Sequence, residues 1–388
     1  MIPRELEQIL ISTLTKSDKL ILLYGPRQAG KTTILQNLKT YFIKSGQSVL
    51  YLNCDLAEDL SVVDTSSLIS LKQLLGETEV LLLDETQRLT NPGLTLKIIH
   101  DNFPTIKVAA TGSSSFNLKN AASDALTGRY LDFTLYPLSF SEVVRYQDFS
   151  DNPQLKKQQT DGLLPSFLLY GAYPDVFLQG APLEKQTLLT KIIESYLFKD
   201  ILSFHKIRHS EAISSLAQAL AYQIGSEVNE SELANRLKID RKTVVNYLDL
   251  LEQTFVIVRV RPFSKNPRRE IGRNYKVYFL DLGLRNALVG DFNPLGIRSD
   301  AGALWENFII AERIKMSAHR ASAFNYNFWR TFGGAEVDWL ERRFNQKMSA
   351  FEIKYKPGQL SRGAYSFTHR YNIPVKLIDT SNYLEFIS

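Results

Sequence analysis

The 388-residue sequence predicts an α/β protein in four parts: a parallel-sheet domain that holds a nucleoside triphosphate, a helical segment, a helix-turn-helix followed by two strands, and a C-terminal α/β domain. Two observations carry that expectation. Apolar, strand-like runs near Leu20–Gly25, Val49–Cys54, Val80–Asp84, Lys107–Thr111 and Leu131–Tyr136 alternate with helical or loop segments, the pattern of a parallel sheet with helices on both faces. The first run leads straight into a glycine-bounded loop and a helix, the arrangement that cradles phosphates.

That loop is Gly25-Pro-Arg-Gln-Ala-Gly-Lys-Thr-Thr33, which fits G-x-x-x-x-G-K-[ST]. The run Leu20–Tyr24 precedes it, and Thr33–Phe42 follows with helical spacing. Backbone N–H groups of Gly25, Pro26 excepted, through Arg27, Gln28, Ala29, Gly30 and Thr33 would ring a phosphate chain at the positive end of a helix. Lys31 would reach the β- and γ-phosphates, and Thr32 would offer its hydroxyl to Mg²⁺.

The next acidic signal is Val80-Leu-Leu-Leu-Asp-Glu85, an apolar run ending in two acids, as in a buried parallel strand that delivers carboxylates at its C-terminal edge. Asp84 would hold Mg²⁺, and Glu85 would orient or deprotonate the attacking water or, alternatively, cap the next segment. The run Ile106–Ser115 ends in a polar cluster in which Thr111, then Ser113, is the candidate sensor of the γ-phosphate, unless the cluster is a plain turn. Arg129, just before the strand Tyr130–Tyr136, would neutralise charge on the transferring phosphoryl group, in cis or from a neighbouring subunit, or would form a structural ion pair.

Composition narrows the class. Hydrophobic content of 44% and charged content of 22% are those of a globular protein with room for two or three cores. No apolar stretch approaches the roughly 18 residues that span a bilayer, and no signal-peptide pattern opens the chain. The single cysteine, Cys54, excludes an intramolecular disulfide and fits a reducing cytoplasm. His205 and His209 lie four apart without Cys or His partners, so zinc is not expected. A net charge of +5 is mildly basic, so the placement of the charge matters more than its sum.

After Pro137–Glu142 the chain is mostly helical to about residue 225, for example over Glu184–Phe198, with Asp148–Asp161 as the expected mobile surface loop. Asn229 would cap a short helix through Leu237, and Asp240 a second one, Arg241–Leu251, with Leu233, Leu237, Val244, Leu248 and Leu251 on the buried seam. Two strand-like pieces, Phe255–Val260 and Tyr275–Leu280, complete the pattern of a winged helix. Between them Arg259, Arg261, Lys265, Arg268, Arg269, Arg273 and Lys276 face one acid, Glu270. These cations would meet phosphates while Arg241, Lys242 and Asn246 meet base edges; the alternative is a solvated or protein-binding hairpin.

In the last third, Ala303–Ile314 is an apolar helix interrupted by Glu306, and Ala335–Leu340 and Ala350–Tyr355 are strands. Residues two apart share a strand face, so Glu336 pairs with Asp338 and Glu352 with Lys354. The 352 − 338 = 14 positions between Asp338 and Glu352 suffice for a hairpin that makes the acids neighbours. Such carboxylates with a lysine would bind Mg²⁺ and position a water against a phosphodiester, or would form an ion-pair set around Lys354.

With these residues in view, the chain resembles a prokaryotic family of AAA+-like P-loop ATPases, across Gly25–Thr33, Leu83-Asp-Glu-Thr-Gln87, Thr111–Ser115, Leu126-Thr-Gly-Arg129, Tyr136–Glu142, Gly171-Ala-Tyr-Pro174, Lys276–Asp281, Gly302–Phe308, Phe328-Trp-Arg-Thr331 and Phe351-Glu-Ile-Lys354. The resemblance implies a RecA/AAA+-like ATPase domain over 1–140, a helical lid over 141–225, a winged helix over 226–285 and a PD-(D/E)xK nuclease-like domain over 286–388. It also implies that Glu306, Asp338, Glu352 and Lys354 are the nuclease positions, with Asp338 and Glu352 on a metal. The expected activity is Mg²⁺-dependent ATP hydrolysis coupled to DNA binding and to metal-dependent cleavage. The alternative is a nucleotide-driven switch on a protein partner, or in a homo-oligomer, with an inert nuclease-like scaffold.

Overall fold

The computed structural model describes residues 2–113, 126–147, 149–195, 210–264, 274–322, 324–343 and 347–388. The chain forms two compact units. One comprises Met1–Leu138 with the short returns Gln253–Phe255 and Ala318–Ala321, and the other comprises the remainder.

The first unit is built on a five-stranded sheet of β1 (Leu20–Tyr24), β2 (Val49–Asn53), β3 (Val80–Asp84), β4 (Lys107–Gly112) and β5 (Tyr130–Thr134). Their order is β2-β3-β4-β1-β5, and every pairing is parallel. Strands β1 and β3 are buried along their whole length, which is why both are apolar without alternation. Helix α1 (Glu5–Lys16) buries Leu6, Leu10 and Leu14, and α2 (Lys31–Lys44) buries Ile34, Leu35 and Leu38, all in one core with Ile21, Leu23 and Leu82. Each fully buried aliphatic side chain contributes roughly 1.5–3 kcal/mol. The shorter helices are α3 (Ala57–Val63), α4 (Leu68–Leu75) and α5 (Pro92–Asn102), the last two capped by the side chains of Ser67 and Asn91.

The second unit opens with α6 (Phe140–Tyr146), started by a capping box between Ser139 and Glu142. Helix α7 (Pro153–Tyr170) replaces most of the mobile loop expected over Asp148–Asp161. Asn152 caps it and Pro153 takes its first position, so a polar sequence with a solvated face still starts a helix. Helices α8 (Pro174–Leu178), α9 (Pro182–Ile192) and α10 (Ser210–Tyr222) follow, and the end of the helix expected over Glu184–Phe198 lies outside the described residues.

Next come β6 (Glu227–Val228), α11 (Glu230–Leu237) and α12 (Arg241–Gln253). Asn229 caps α11, and Lys238 ends it in the left-handed region. Strands β7 (Ile257–Val260) and β8 (Tyr275–Phe279) form an antiparallel sheet with β6, in the order β6-β8-β7. Helix α13 (Leu282–Val289) and the long α14 (Ala301–His319) lead to a four-stranded mixed sheet of β9 (Phe324–Arg330), β10 (Glu336–Arg343), β11 (Ser349–Ile353) and β12 (Val375–Ile378). Trp329, Val337, Leu340 and Val375 from this sheet pack with Ala364 and Phe367 of α15 (Arg362–Tyr371). Helix α16 (Tyr383–Ile387) ends the chain, and no helix among the described residues is long and apolar enough to cross a membrane.

Candidate active site and charged constellations

The loop Gly25–Gly30 leaves the C-terminal edge of β1 and enters α2, with Gly30 as its left-handed N-cap. A Cβ on Gly25 would lie 2.1 Å from the Leu135 carbonyl oxygen, so only glycine fits where the loop passes the segment after β5. Arg4, before α1, donates to the Ala29 carbonyl at 2.7 Å and to the Tyr136 carbonyl at 2.7 Å, pinning the loop from below. No local signal marks Arg4 for these contacts, because they join distant segments of the chain. Lys31 is 4% exposed, and its Nζ donates to the carbonyls of Gly25 and Pro26 at 3.0 Å each. Burial lowers its pKa, while the charges of Glu85 and Asp84 oppose the shift.

Asp84 ends β3, two strands from β1 with β4 between them. Its Oδ1 accepts from the Thr111 hydroxyl and from the Glu85 N–H at 3.1 Å, and its Oδ2 from the Tyr51 hydroxyl at 3.2 Å. A carboxylate has about four acceptor sites, so capacity for a metal or a metal-bound water remains on Oδ2. Glu85 holds a left-handed backbone, φ 54, ψ 41, fixed by its N–H to Asp84 and to Thr111 Oγ1 at 3.1 Å. Such a conformation costs a non-glycine residue about 1–3 kcal/mol and persists where the surroundings impose it.

Thr111, the first sensor candidate, is fully buried and is tied to the acidic pair: its hydroxyl donates to Asp84 Oδ1 and accepts from the Glu85 N–H. Ser113, the second candidate, accepts from Gln87 Nε2 at 3.1 Å, and the same amide nitrogen donates to Glu85 Oε2. Gln87 therefore joins the candidate positions Ser113 and Glu85 through one side chain, a link that spacing alone did not reveal.

Arg129 also departs from the cis reading. It stands at the N-terminal end of β5, where its carbonyl accepts from Leu20 N–H, while the phosphate loop leaves the opposite end of the parallel sheet. Its guanidinium binds Asp101 through two bonds of 2.7 and 3.1 Å, the ion pair that was the alternative.

In the second unit, Arg241, Lys242 and Asn246 are exposed on the first turns of α12, and Arg241 meets Glu230 at 2.8 Å. A cavity of about 440 Å³ opens between these turns and the hairpin, lined in part by Arg241, Arg259, Arg261, Asn274 and Tyr275. Lys265, Arg268, Arg269 and Arg273 lie outside the described residues. Two of the expected phosphate-binding cations are committed elsewhere. Arg259 bonds Asp249 at 2.6 Å and Glu252 at 2.8 Å, tying β7 to α12. Lys276 is 3% exposed and turns toward acids of the C-terminal part.

The C-terminal constellation is only partly as expected. Strands β10 and β11 pair with Trp339 opposite Phe351, which sets Asp338 and Glu352 at the next step of the ladder. Glu306 lies near enough to raise the Asp338 carboxyl, but Glu352 accepts from the Ser361 N–H at 2.8 Å and meets Lys354 at 3.3 Å. Tyr278 was missed, and the meeting of Lys276 with Glu306 and Glu336 was not foreseen. Lys276 Nζ lies 3.1 Å from Glu306 Oε1 and also contacts Glu336, and the Tyr278 hydroxyl donates to Glu306 at 2.6 Å. Asp338 and Glu352, expected on a metal, stand at opposed positions of the ladder, and among the described residues no three acids, histidines or cysteines form a group that would hold a metal ion.

Burial, with Glu306 and Glu336 nearby, pushes the Asp338 carboxyl up to about 8 despite Lys276 and the Ile353 N–H, which donates to it at 2.8 Å. The folded state then carries a proton there that the unfolded chain loses near pH 4, so stability falls as pH rises from about 4 toward 8. Asp338→Asn, a neutral mimic of the protonated acid, is expected to flatten that fall by up to roughly 1.4 kcal/mol per pH unit. Urea unfolding of both proteins at pH 6 and pH 8 measures it, and equal slopes with pH would contradict the shifted carboxyl.

Comparison with known proteins agrees with the architecture of the first unit. Residues 17–144 match an AAA domain, residues 162–298 match the domain of unknown function DUF8612, and residues 301–379 match the domain of unknown function DUF4143. An uncharacterized protein of Haemophilus influenzae is 28% identical over 304 residues, covering 75% of this chain and 74% of that protein. An uncharacterized protein of Methanocaldococcus jannaschii is 23% identical over 355 residues, covering 89% and 76%. Among solved structures, the replication initiator DnaA bound to AMPPCP and single-stranded DNA aligns with a TM-score of 0.33 and 17% identity, over 64% of this chain and 86% of that one. The matched residues 17–144 hold the phosphate loop and the five-stranded parallel sheet.

Proposed function

We propose that the chain is a Mg²⁺-dependent ATPase that couples its nucleotide state to DNA binding. The observation that carries the ATPase half is the meeting of the Gly25–Thr33 loop with Asp84 and Glu85 at one edge of a parallel sheet. Thr32 and Asp84 would hold Mg²⁺, which when bound neutralises phosphate charge. Lys31 binds the β- and γ-phosphates, the loop amides orient them, and Glu85 takes the proton of the attacking water. Thr111 holds Asp84 in place, and Gln87 sets the Glu85 carboxylate against Ser113.

The DNA half is supported by α11, α12 and the three strands β6, β8 and β7, whose order in sequence and sheet suits a winged helix. In that reading α12 enters the major groove, with Arg241, Lys242 and Asn246 toward the bases and Arg261 with the hairpin cations toward phosphates. The Arg241–Glu230 pair is exposed and weak, so a phosphate or base exchanges with it readily. Cleavage is left out of this reading, because Glu306 and Glu336 already have a buried lysine as their counter-ion.

If three of the described cations meet phosphates, duplex affinity falls with salt along a log–log slope of about −2.7. Fluorescence anisotropy with labelled duplex from 50 to 300 mM KCl, with and without ATP, measures this. An affinity that ignores salt favours the second reading, a nucleotide-driven switch whose partner is a protein.

A further inference from the structure

Lys276 is at the centre of a buried charge cluster that the ATPase reading does not use. It sits on β8, the middle strand of its three-stranded sheet, with Glu227 paired on one side and Val260 on the other. Its backbone is therefore fixed from both edges, and its side chain is 3% exposed. The ammonium lies against Glu306 on α14 and Glu336 on β10, with the Phe328 ring centroid 5.5 Å away. Tyr278 donates to the Glu306 oxygen that also faces Lys276, and Arg330 stands 3.6 Å from Glu336.

The resemblance to PD-(D/E)xK nucleases implies a divalent cation among Glu306, Asp338 and Glu352, and the residues present do not fit one. Glu352 is drawn off to Ser361 and Lys354. The remaining carboxylates already surround a cation that belongs to the chain. A dication brought to the same oxygens would have to sit beside a buried ammonium, where low dielectric magnifies the repulsion.

We propose that the Lys276 ammonium occupies the cation position between Glu306 and Glu336, making the C-terminal constellation a self-neutralised site that takes no Mg²⁺ or Mn²⁺ while the lysine is present. The same ammonium is a buried tie between hairpin strand β8 and the C-terminal sheet. Removal of one partner from a buried ion pair leaves the other charge uncompensated, so loss of Lys276 leaves Glu306 and Glu336 without that counter-ion.

The test uses the full chain without nucleotide, with Asp84→Asn in every sample so that the phosphate site contributes no metal. Mn²⁺ binding is followed by the EPR signal of the free ion, and thermal unfolding with and without Mn²⁺ is recorded in parallel. With Lys276 intact, no Mn²⁺ site sensitive to Glu306→Gln is expected. Lys276→Met should unfold at a lower temperature than the parent, and adding Glu306→Gln, which removes the uncompensated charge, should recover part of that loss. The proposal is overturned if the parent binds Mn²⁺ through Glu306, or if adding Glu306→Gln to Lys276→Met recovers no stability. Neither outcome depends on ATP turnover or DNA binding, so failure here is separable from failure of the proposed function.

Discussion

Glu85→Gln is expected to lower ATP turnover about 10²–10⁴-fold while ATP remains bound, because the general base is lost and the phosphate loop is untouched. The amide keeps the size of the carboxylate and the left-handed backbone that Asp84 and Thr111 impose at this position. Lys31→Ala should fail differently. It removes the positive charge from the loop, so both nucleotide affinity and turnover fall. Phosphate release under single-turnover conditions, together with equilibrium ATP binding, separates the two variants. Wild-type turnover in Glu85→Gln would remove Glu85 from the chemistry, and wild-type turnover in Lys31→Ala would remove the loop itself.

Asp281→Ala is expected to destabilise the second unit by about 2–4 kcal/mol, a large share of the roughly 5–15 kcal/mol that holds a domain together. Asp281 is buried, and its two carboxylate oxygens accept from the Ala172 N–H at 2.7 Å and from the Leu284 N–H at 3.2 Å. It thus caps α13 and binds a turn 109 positions earlier in the chain. Alanine leaves both donors buried without an acceptor. The turn itself is built for this carboxylate: at Gly171, φ 67, a Cβ would lie 2.0 Å from Asp281 Oδ1. Asp281→Asn keeps an acceptor oxygen and should recover part of the loss. Urea unfolding followed in the second unit tests the claim, and an unchanged midpoint in Asp281→Ala would refute it.

Gly171 and Asp281 mark the boundary between what sequence and structure each disclose. Both fall within motifs noticed in the sequence, Gly171-Ala-Tyr-Pro174 and Lys276–Asp281, yet nothing in either motif says that one receives the other. The phosphate loop is the opposite case. Its chemistry is local, since a strand, a tight turn and a helix start must follow one another directly, so Gly25, Lys31 and Thr32 were legible from spacing. The same holds for Asp84 and Glu85, fixed at the end of a continuous apolar strand, and for α11 and α12, whose caps and periodicity are short-range signals.

Hydroxyl and charge partners were not legible. Thr111 follows an apolar strand as a phosphate sensor would, but its proton is claimed by Asp84 from a neighbouring strand. Lys276 stands among arginines in the sequence and looks like one more surface cation, while the strand pairing of β8 turns it inward to Glu306 and Glu336. Arg129 likewise has a plausible position in the chain and the wrong edge of the sheet. The sequence by itself determined the α/β class, the nucleotide loop and the acidic strand end, because those depend on residues within a few positions of each other. Only the tertiary structure decided which cations are free to meet a ligand and which are consumed as counter-ions, because burial makes an unpaired charge costly and its partner is supplied by whichever distant segment the fold brings within about 3 Å.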